Sequence, residues 1–368
     1  MADTATLSDP RRRNVMWLAI VALVLVALAV FALWRQSAEV APKYHAHPLF
    51  PDLAHHAREV ARIHIESKTG KIDVAFLPMK GWVVTSHNDF PASFEEVNKT
   101  VIGVASLELI EEKTARKDWL HFLGLDTPPK GDGTLITLAD DKGHVLASVV
   151  TGKSEDIGES EGGSGLYVRE PDSTQSYLAR SVFEPKTSTD DWYDKNLLGI
   201  GRERIQSTDV RPIGSPAYTV SRDKPTQADF KLADMPAGRE LAYPGSADGV
   251  GAAIVGLTFD DVKPAKDFDF TNAWRVVTRT FDGLDVTLDI IQQGQDYWAT
   301  VFANSGPGKP AAGKEARAID AKTLGWAYKL PSYKGQQLMT KLDSLLKAPG
   351  SPPAPAAPPA PATPAPKK

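Results

Sequence analysis

An unbroken run of uncharged, almost wholly apolar residues extends from Val15 to Trp34 and constrains this chain more than any other feature. At about 1.5 Å per residue, a helix of this length covers about 30 Å, the hydrocarbon thickness of a bilayer. Three arginines, Arg11 to Arg13, precede the run, whereas only Arg35 and Lys43 follow it closely. The positive-inside rule then holds residues 1–14 in the cytoplasm. The sequence predicts a single-pass transmembrane helix with the bulk of the chain outside the cytoplasm.

A cleaved signal peptide is the alternative interpretation of this run. Its apolar core is usually about 7 to 15 residues long and ends at a pair of small residues. Here the run is longer and leads into Trp34, Arg35 and Gln36, and the small residues around Ser37 to Ala41 are poorly placed for cleavage. We therefore expect a retained anchor. A single-span anchor with a Pro/Ala-rich tail is typical of a Gram-negative inner-membrane protein whose bulk lies in the periplasm.

Charge and cysteine content narrow the possible partners and cofactors. A formal net charge of −4 and a sequence pI near 6.1 give no strong electrostatic attraction for nucleic acid or anionic lipid. The absence of cysteine removes disulfides, thiolate metal ligands and a lipoprotein anchor. Residues 348–368 are nearly all Pro, Ala, Ser and Thr with two terminal lysines, a composition that predicts a disordered, extended spacer.

Short strands dominate the pattern between anchor and tail. Alternating, β-branched runs separated by turn residues predict a meander and then hairpins, and a capping-box signal from Ser93 to Glu96 predicts one amphipathic helix. The expected elements are strands at 61–66, 71–77 and 81–86, a helix at 93–107, hairpins at 134–150 and 165–179, a strand at 326–330 and a closing helix at 335–346.

The order of these elements recurs along the chain. Arg204-Ile205 begins a second series of strands, as Arg62-Ile63 begins the first. A predicted hairpin with its turn at Asp282-Gly283 corresponds to the one with its turn at Asp140 to Gly143. The sequence therefore predicts an α+β fold with two related β-rich modules, each with antiparallel strands and a packed helix. The expected organisation is a cytoplasmic N-terminus at 1–14, a transmembrane helix at 15–34, a juxtamembrane linker at 35–60, module 1 at 61–200, module 2 at 201–347 and the tail at 348–368.

Several segments carry a family resemblance. They are Trp82, Phe90-Pro91-Ala92, Leu120-His-Phe-Leu-Gly-Leu125 followed by Pro128, Gly165-Leu-Tyr-Val-Arg169, and Asp191-Trp192-Tyr-Asp-Lys195-Asn-Leu-Leu. From about Arg62 to Leu346 the chain resembles the bacterial domain of unknown function 4340. The resemblance implies an N-terminal membrane helix, a repeated β-rich periplasmic part and an association with auxiliary components of gliding-motility-type ABC transporters. It implies no catalytic residues.

Four histidines just beyond the predicted anchor are the only candidate metal ligands. His45 and His47 alternate in an extended segment, and His55 and His56 follow, so imidazoles could share an ion. Prolines interrupt this segment and no cysteine assists, which favours solvated side chains over a metal site. We therefore assign no metal, cofactor-binding or catalytic residue and expect no cofactor.

Other motifs favour no enzyme class. Thr151-Gly152-Lys153-Ser154 imitates the end of a phosphate-binding loop, but Ala147 replaces the required glycine and no helix follows, so we expect no nucleotide site. Adjacent acids such as Asp190-Asp191 and Asp260-Asp261 point apart on one element, which is typical of caps and solvated faces. Six tryptophans lie in apolar or strand patterns and are expected in the core: Trp82, Trp119, Trp192, Trp274, Trp298 and Trp326.

Two functional hypotheses follow from these patterns. The favoured one is a non-enzymatic, membrane-anchored periplasmic interaction module, an accessory or scaffold of an ABC-type export or cell-envelope system. Its partners would be the inner membrane and an ABC transporter permease or auxiliary subunit. The alternative is a cell-envelope hydrolase acting on glycan or peptide. An acid and a histidine that meet an aromatic ring in one deep pocket would favour the hydrolase.

Overall fold

The computed structural model describes residues 17, 20–31, 44–158 and 163–348. These residues form two compact units. The first unit comprises the described residues within 1–71 and 98–187, and the second those within 72–97 and 188–348. Antiparallel strands dominate both units and helices are few, so the α+β class expected from the sequence is confirmed.

The described elements are numbered here in chain order. The strands are β1 (His47–Pro48), β2 (Arg62–Ser67), β3 (Gly70–Leu77), β4 (Gly81–Val84), β5 (Phe90–Pro91), β6 (Glu108–Glu112), β7 (Thr134–Ala139), β8 (Val145–Gly158), β9 (Gly163–Arg169), β10 (Ser176–Arg180), β11 (Asn196–Leu198), β12 (Ile205–Arg211), β13 (Tyr218–Ser221), β14 (Lys231–Leu232), β15 (Leu257–Thr258), β16 (Asp261–Pro264), β17 (Trp274–Thr280), β18 (Leu284–Gln293), β19 (Asp296–Ser305) and β20 (Trp326–Leu330).

The helices are fewer and shorter. The α-helices are α1 (residues 20–31), α2 (Leu53–His56), α3 (Phe94–Ala105), α4 (Asp248–Gly251), α5 (Pro310–Thr323), α6 (Ser332–Leu338) and α7 (Leu342–Leu345). Short 3₁₀ helices are Ala57–Glu59, Thr85–His87, Lys117–Leu123, Thr189–Trp192, Arg202–Arg204 and Ala265–Asp267.

The first unit is built on an antiparallel sheet with the order β1-β6-β10-β9-β8-β7-β2. Alternation of apolar residues along β2 and β7 places one side of this sheet in the core. Ile63 pairs with Leu138 and Ile65 with Ile136, and all four side chains are buried. The buried face explains why period-two patterns located these strands correctly in the sequence.

The second unit contains a larger antiparallel sheet with the order β14-β13-β12-β17-β18-β19-β20-β16. Helix α5 packs on β18 and β19 through small residues, since Ala312, Ala316 and Thr323 are its buried positions. The strands β3, β4 and β5 form a meander, and β11 pairs with β15.

The order of strands recurs between the two sheets. Starting from β2, the neighbours in the first unit are β7, β8, β9, β10 and β6; starting from β12, those in the second are β17, β18, β19, β20 and β16. The turn between the first hairpin strands contains Gly143 at φ 89°, and the corresponding turn contains Gly283 at φ 90°. Both positions need left-handed backbone, which glycine adopts without steric cost.

The predicted anchor lies largely outside the described residues. Residues 20–31 are helical, and their large apolar side chains are exposed, from 47% at Ile20 to 72% at Leu23. Within the described residues, no helix is both long and apolar enough to cross a membrane. The predicted tail, apart from Ala348, also lies outside the described residues.

Two segments differ from their sequence-based expectation. The predicted linker at 35–60 contains ordered elements from residue 44 onward, and Leu53 and Val60 are buried. The single closing helix expected over 335–346 is instead two helices, α6 and α7. Helix α6 ends at Leu338, and the Thr340 hydroxyl just beyond it donates to the carbonyls of Gln336 and Gln337 at 3.0 and 2.9 Å.

Candidate binding pocket in the second unit

The second unit contains a pocket of about 290 Å³ that three separate chain segments enclose. Residues 90–93 form one wall, residues 194–197 another, and Ala321 and Lys322 at the end of α5 the third. Most of the lining is apolar. A few polar groups, among them Asp194, Asn196 and Lys322, lie at its exposed rim, an arrangement typical of ligand sites.

Aromatic rings form the floor of the pocket. Phe259 and Tyr328 pack with ring centroids 5.0 Å apart, and Phe90 meets Phe259 edge-on at 5.9 Å. Trp326 also meets Phe90 edge-on, at 4.9 Å. Phe90, Phe259 and Tyr328 are 6%, 2% and 1% exposed. Because these rings hold one another in place, the floor is preformed.

Backbone hydrogen bonds fix the first wall. In β5, Phe90 pairs with Val84 of β4, and Ala92 N–H donates to the Trp82 carbonyl at 2.9 Å. Ser93 then begins α3, because its hydroxyl accepts the Glu96 N–H at 3.4 Å. The N-terminal cap predicted from the sequence is thus present, and it also positions the pocket wall.

Tyr193 connects the floor to a polar cluster beside the pocket. Its ring stacks on Phe259 at 5.7 Å, and its hydroxyl donates to Asp190 Oδ1 at 2.8 Å. Lys195 Nζ donates to the other oxygen of Asp190 at 2.7 Å. Burial, followed by the bond to Asp190, raises the pKa of Tyr193. Desolvation alone would raise the pKa of Asp190, but the bonds from Lys195 and Tyr193 outweigh it and lower that pKa.

His87 also packs against the ring of Tyr193. The two rings stack at 5.7 Å, and His87 Nε2 is 3.4 Å from Asp261 Oδ1. This nitrogen is buried and makes no hydrogen bond within the described residues, so the contact with Asp261 is electrostatic. A nucleophilic mechanism needs a hydroxyl hydrogen-bonded to the imidazole, and Nε2 has none. His87 and Asp261 thus form an electrostatic pair beside the pocket.

The four candidate metal ligands lie at exposed positions of the first unit. His47 in β1 has Nδ1 3.1 Å from the His45 carbonyl oxygen. His56 has Nδ1 2.8 Å from Glu59 Oε1, and that hydrogen bond raises its pKa. In the described part of the chain, no group of three or more His, Asp or Glu side chains is arranged to hold a metal ion.

The remaining motifs lie in regular structure. Thr151 to Ser154 belong to β8, where no helix N-terminus is available to receive a phosphate. The pair Asp190-Asp191 was interpreted as a cap or a solvated face; Asp191 is exposed, whereas Asp190 anchors the polar cluster. One signal for the pocket was present, since Phe90-Pro91-Ala92 and Asp191 to Leu198 both carried the family resemblance. The structure brings these two segments together.

The family model described as Domain of unknown function (DUF4340) matches residues 82–267. The chain belongs to this family. The matched region includes two walls of the pocket and Phe259 but ends before α5, which supplies the third wall in this DUF4340 member. No curated protein and no solved structure matches the chain.

Proposed function

We propose that this DUF4340 protein is a membrane-anchored, non-enzymatic interaction module whose bulk lies in the periplasm of a Gram-negative cell. The pocket of the second unit carries this proposal. Its floor is rigid and apolar, its polar groups lie at the rim, and the nearby acids are engaged by Tyr193, Lys195 and His87. Such a pocket suits an apolar side chain or short apolar segment of a partner protein.

Anchoring is supported by the sequence from Val15 to Trp34 and by the exposed apolar side chains of α1. Arg11 to Arg13 support the orientation with residues 1–14 in the cytoplasm. The family resemblance supports an ABC transporter permease or auxiliary subunit as the partner. In this role the protein is an accessory or scaffold of an export or cell-envelope system and needs no cofactor.

We also infer that the chain repeats one α+β module, over residues 61–200 and 201–347. The shared strand order and the glycine turns at Gly143 and Gly283 support this inference. Repetition of a strand-rich module is typical of proteins that present binding surfaces, because function resides in loops and pockets placed on a repeated scaffold.

The pocket can be tested by filling it. Ala321 is exposed at the rim, so Ala321→Trp should obstruct the pocket without disturbing the core. Ala311→Trp is the matched control, since Ala311 is also exposed on α5 but does not line the pocket. Full-length variants would be crosslinked in membranes and purified. We expect a permease-type membrane protein to copurify with wild type and Ala311→Trp and to be lost with Ala321→Trp. Equal recovery from both variants would contradict binding at the pocket.

One observation favours the alternative, a cell-envelope hydrolase acting on glycan or peptide. His87, Asp261 and Asp190 gather around Tyr193 beside the pocket. Purified full-length protein should nevertheless release no product from cell-wall glycan or peptide substrates. Turnover that His87→Ala or Asp261→Asn abolishes, while leaving the thermal unfolding midpoint unchanged, would establish the hydrolase instead.

A further inference from the structure

The 3₁₀ helix Lys117–Leu123 of the first unit, called here the aromatic turn, has an inward row of leucines. A 3₁₀ helix has about three residues per turn, so residues three apart lie above one another. Leu120 and Leu123 form one such row and pack against the buried Leu125 and Val150. These contacts fix how the rest of the turn faces solvent.

The neighbouring row of the aromatic turn faces outward. Trp119 and Phe122, again three residues apart, are 48% and 63% exposed. Arg116 lies over the indole ring at 4.7 Å and also binds Asp118 at 2.6 Å, which holds the Trp119 ring in its exposed position. Two adjacent exposed aromatic rings next to a basic side chain are typical of a surface that enters a membrane interface.

The chain enters the first unit close to this turn. Strand β1 runs antiparallel to β6, with His47 opposite Leu109, so the residues before His47 proceed toward the far end of β6. Tyr44 lies there, with its ring 6.5 Å from that of Tyr177, which pairs with Glu112. The end of β6 is also where the chain continues into the aromatic turn.

Side-chain contacts connect the end of β6 to the aromatic turn. Lys113, directly after β6, lies over the ring of Tyr167 at 5.7 Å. Tyr167 in turn packs against the leucine cluster that includes Leu123. The point where the chain arrives from the predicted anchor and the exposed aromatic pair therefore lie at the same end of the unit.

The tether between anchor and unit is short. The predicted membrane helix ends at Trp34, and ten residues of extended chain reach at most about 35 Å. Tyr44 is consequently held within that distance of the bilayer surface if the anchor is retained. The first unit is then held near the bilayer, whereas a soluble protein partner would have to diffuse to it.

We propose that Trp119 and Phe122 rest in the headgroup region of the same bilayer that holds the anchor. This inference rests on the proposed anchoring of the chain. The contact gives the first unit a second point of attachment, so that the unit has a fixed orientation on the membrane. The apolar face of an interfacial helix enters about 5 to 10 Å into the headgroup and acyl boundary.

The absence of cysteine allows a clean test with single fluorescent probes. Full-length Phe122→Cys would be labelled with an environment-sensitive fluorophore and reconstituted in nanodiscs containing lipids with quenchers at known depths. Val145→Cys is the matched control, because Val145 is 61% exposed but lies at the start of β8. That position is about 26 Å along the strand from Lys153, which contacts the aromatic turn through the Phe122 carbonyl. Leu25→Cys reports on the anchor.

The expected result is a blue-shifted Phe122 probe that shallow quenchers reach and a Val145 probe that remains in water. Adding Trp119→Ser to the Phe122→Cys protein should reduce the quenching. A Phe122 probe that stays in water beside a deeply quenched Leu25 probe would overturn the lipid contact and leave the surface to a protein partner, while the anchor stands. An unquenched Leu25 probe would overturn the anchoring itself, and the lipid contact with it.

Discussion

Tyr193 donates its hydroxyl hydrogen to Asp190 Oδ1 at 2.8 Å, and this bond joins the polar cluster of the second unit to the aromatic floor of its pocket. The ring of Tyr193 packs on Phe259 while its oxygen reaches Asp190, so one side chain serves both environments. Lys195 completes the cluster at 2.7 Å. Loss of the Asp190 carboxylate should therefore affect the pocket wall as well as the cluster.

The first prediction is a pH-dependent effect of Asp190→Asn on stability. The folded state lowers the pKa of Asp190, so its ionised form stabilises the fold above the ordinary carboxyl pKa of about 3.9. That contribution is lost as the pH falls through the lower, folded pKa. Because the side chain is 47% exposed, the effect should not exceed about 1 kcal/mol.

Urea unfolding of wild type and Asp190→Asn, measured near neutrality and in acid, would check this. The difference in unfolding free energy should shrink toward zero in acid. Asp191→Asn is the control, because it leaves the hydrogen bonds that Asp190 accepts from Tyr193 and Lys195 intact. An equal difference at both pH values would contradict the ionic role of Asp190.

The second prediction concerns Arg169, which is 3% exposed in the first unit. It donates to the Leu125 carbonyl at 2.8 Å, the Pro171 carbonyl at 2.7 Å and Thr127 Oγ1 at 2.6 Å. Arg169→Met leaves these acceptors without a donor and should cost on the order of 3 kcal/mol. Arg169→Lys should rescue little, because an ammonium cannot span the three acceptors.

Chemical denaturation of the two Arg169 variants would measure this cost. Arg58→Met provides the control, since Arg58 is an exposed arginine of the same unit. If Arg169→Met lowers the free energy of unfolding no more than Arg58→Met does, the buried guanidinium is not needed for stability.

The third prediction separates the two rows of the aromatic turn. Leu120→Ala removes a buried side chain of the inward row, packed against Leu125, and should cost about 2 to 5 kcal/mol. Phe122→Ala removes an exposed one and should change stability by no more than about 0.5 kcal/mol. Leu123→Asp should also unfold the unit, since it places a carboxylate against the leucine cluster. Similar losses of stability from Leu120→Ala and Phe122→Ala, measured by thermal unfolding, would refute the assignment of the rows.

Strand patterns were the most predictable part of the fold. The hairpin strands β7 and β8 have one buried face, so their alternation was visible in the sequence. Helix α5 was missed because its buried face consists of Ala312 and Ala316, which give little apolar periodicity. Pro310 at its first position was the available signal.

Tryptophan burial shows a second limit of sequence patterns. Trp192, Trp274 and Trp298 are buried as expected, but Trp119 is 48% exposed. The apolar stretch containing Trp119 folds as a 3₁₀ helix, in which a three-residue period separates it from Leu120. Because the apolar residues from 119 to 125 follow no clear helical or strand period, the sequence does not show which of them are buried and which are exposed.

The pocket could not be located from local patterns. Phe90 and Ser93 were recognised in the sequence, but Phe259, Lys322 and Tyr328 lie more than 160 residues further along the chain. Neighbours so distant in sequence are set by tertiary packing, which local propensity does not encode.

The fourth prediction concerns topology. A reporter fused after Leu346 should behave as periplasmic, because the basic cluster Arg11 to Arg13 precedes the predicted span. Replacing these arginines with neutral residues should weaken that orientation. Cytoplasmic activity of the wild-type fusion would contradict the localisation, and a mature N-terminus near Ser37 to Ala41 would show that the helix is cleaved.

The most direct measurement is photocrosslinking from the pocket rim in intact membranes. A photoreactive phenylalanine would replace Asn196 in the full-length protein and, as the control, Lys314, which is exposed on α5 away from the pocket. We expect a crosslink from position 196 to one permease-type membrane protein and none from position 314. Ala321→Trp should abolish the crosslink. Its absence from position 196, or its persistence with the pocket filled, would contradict the account of this pocket as the partner-binding site.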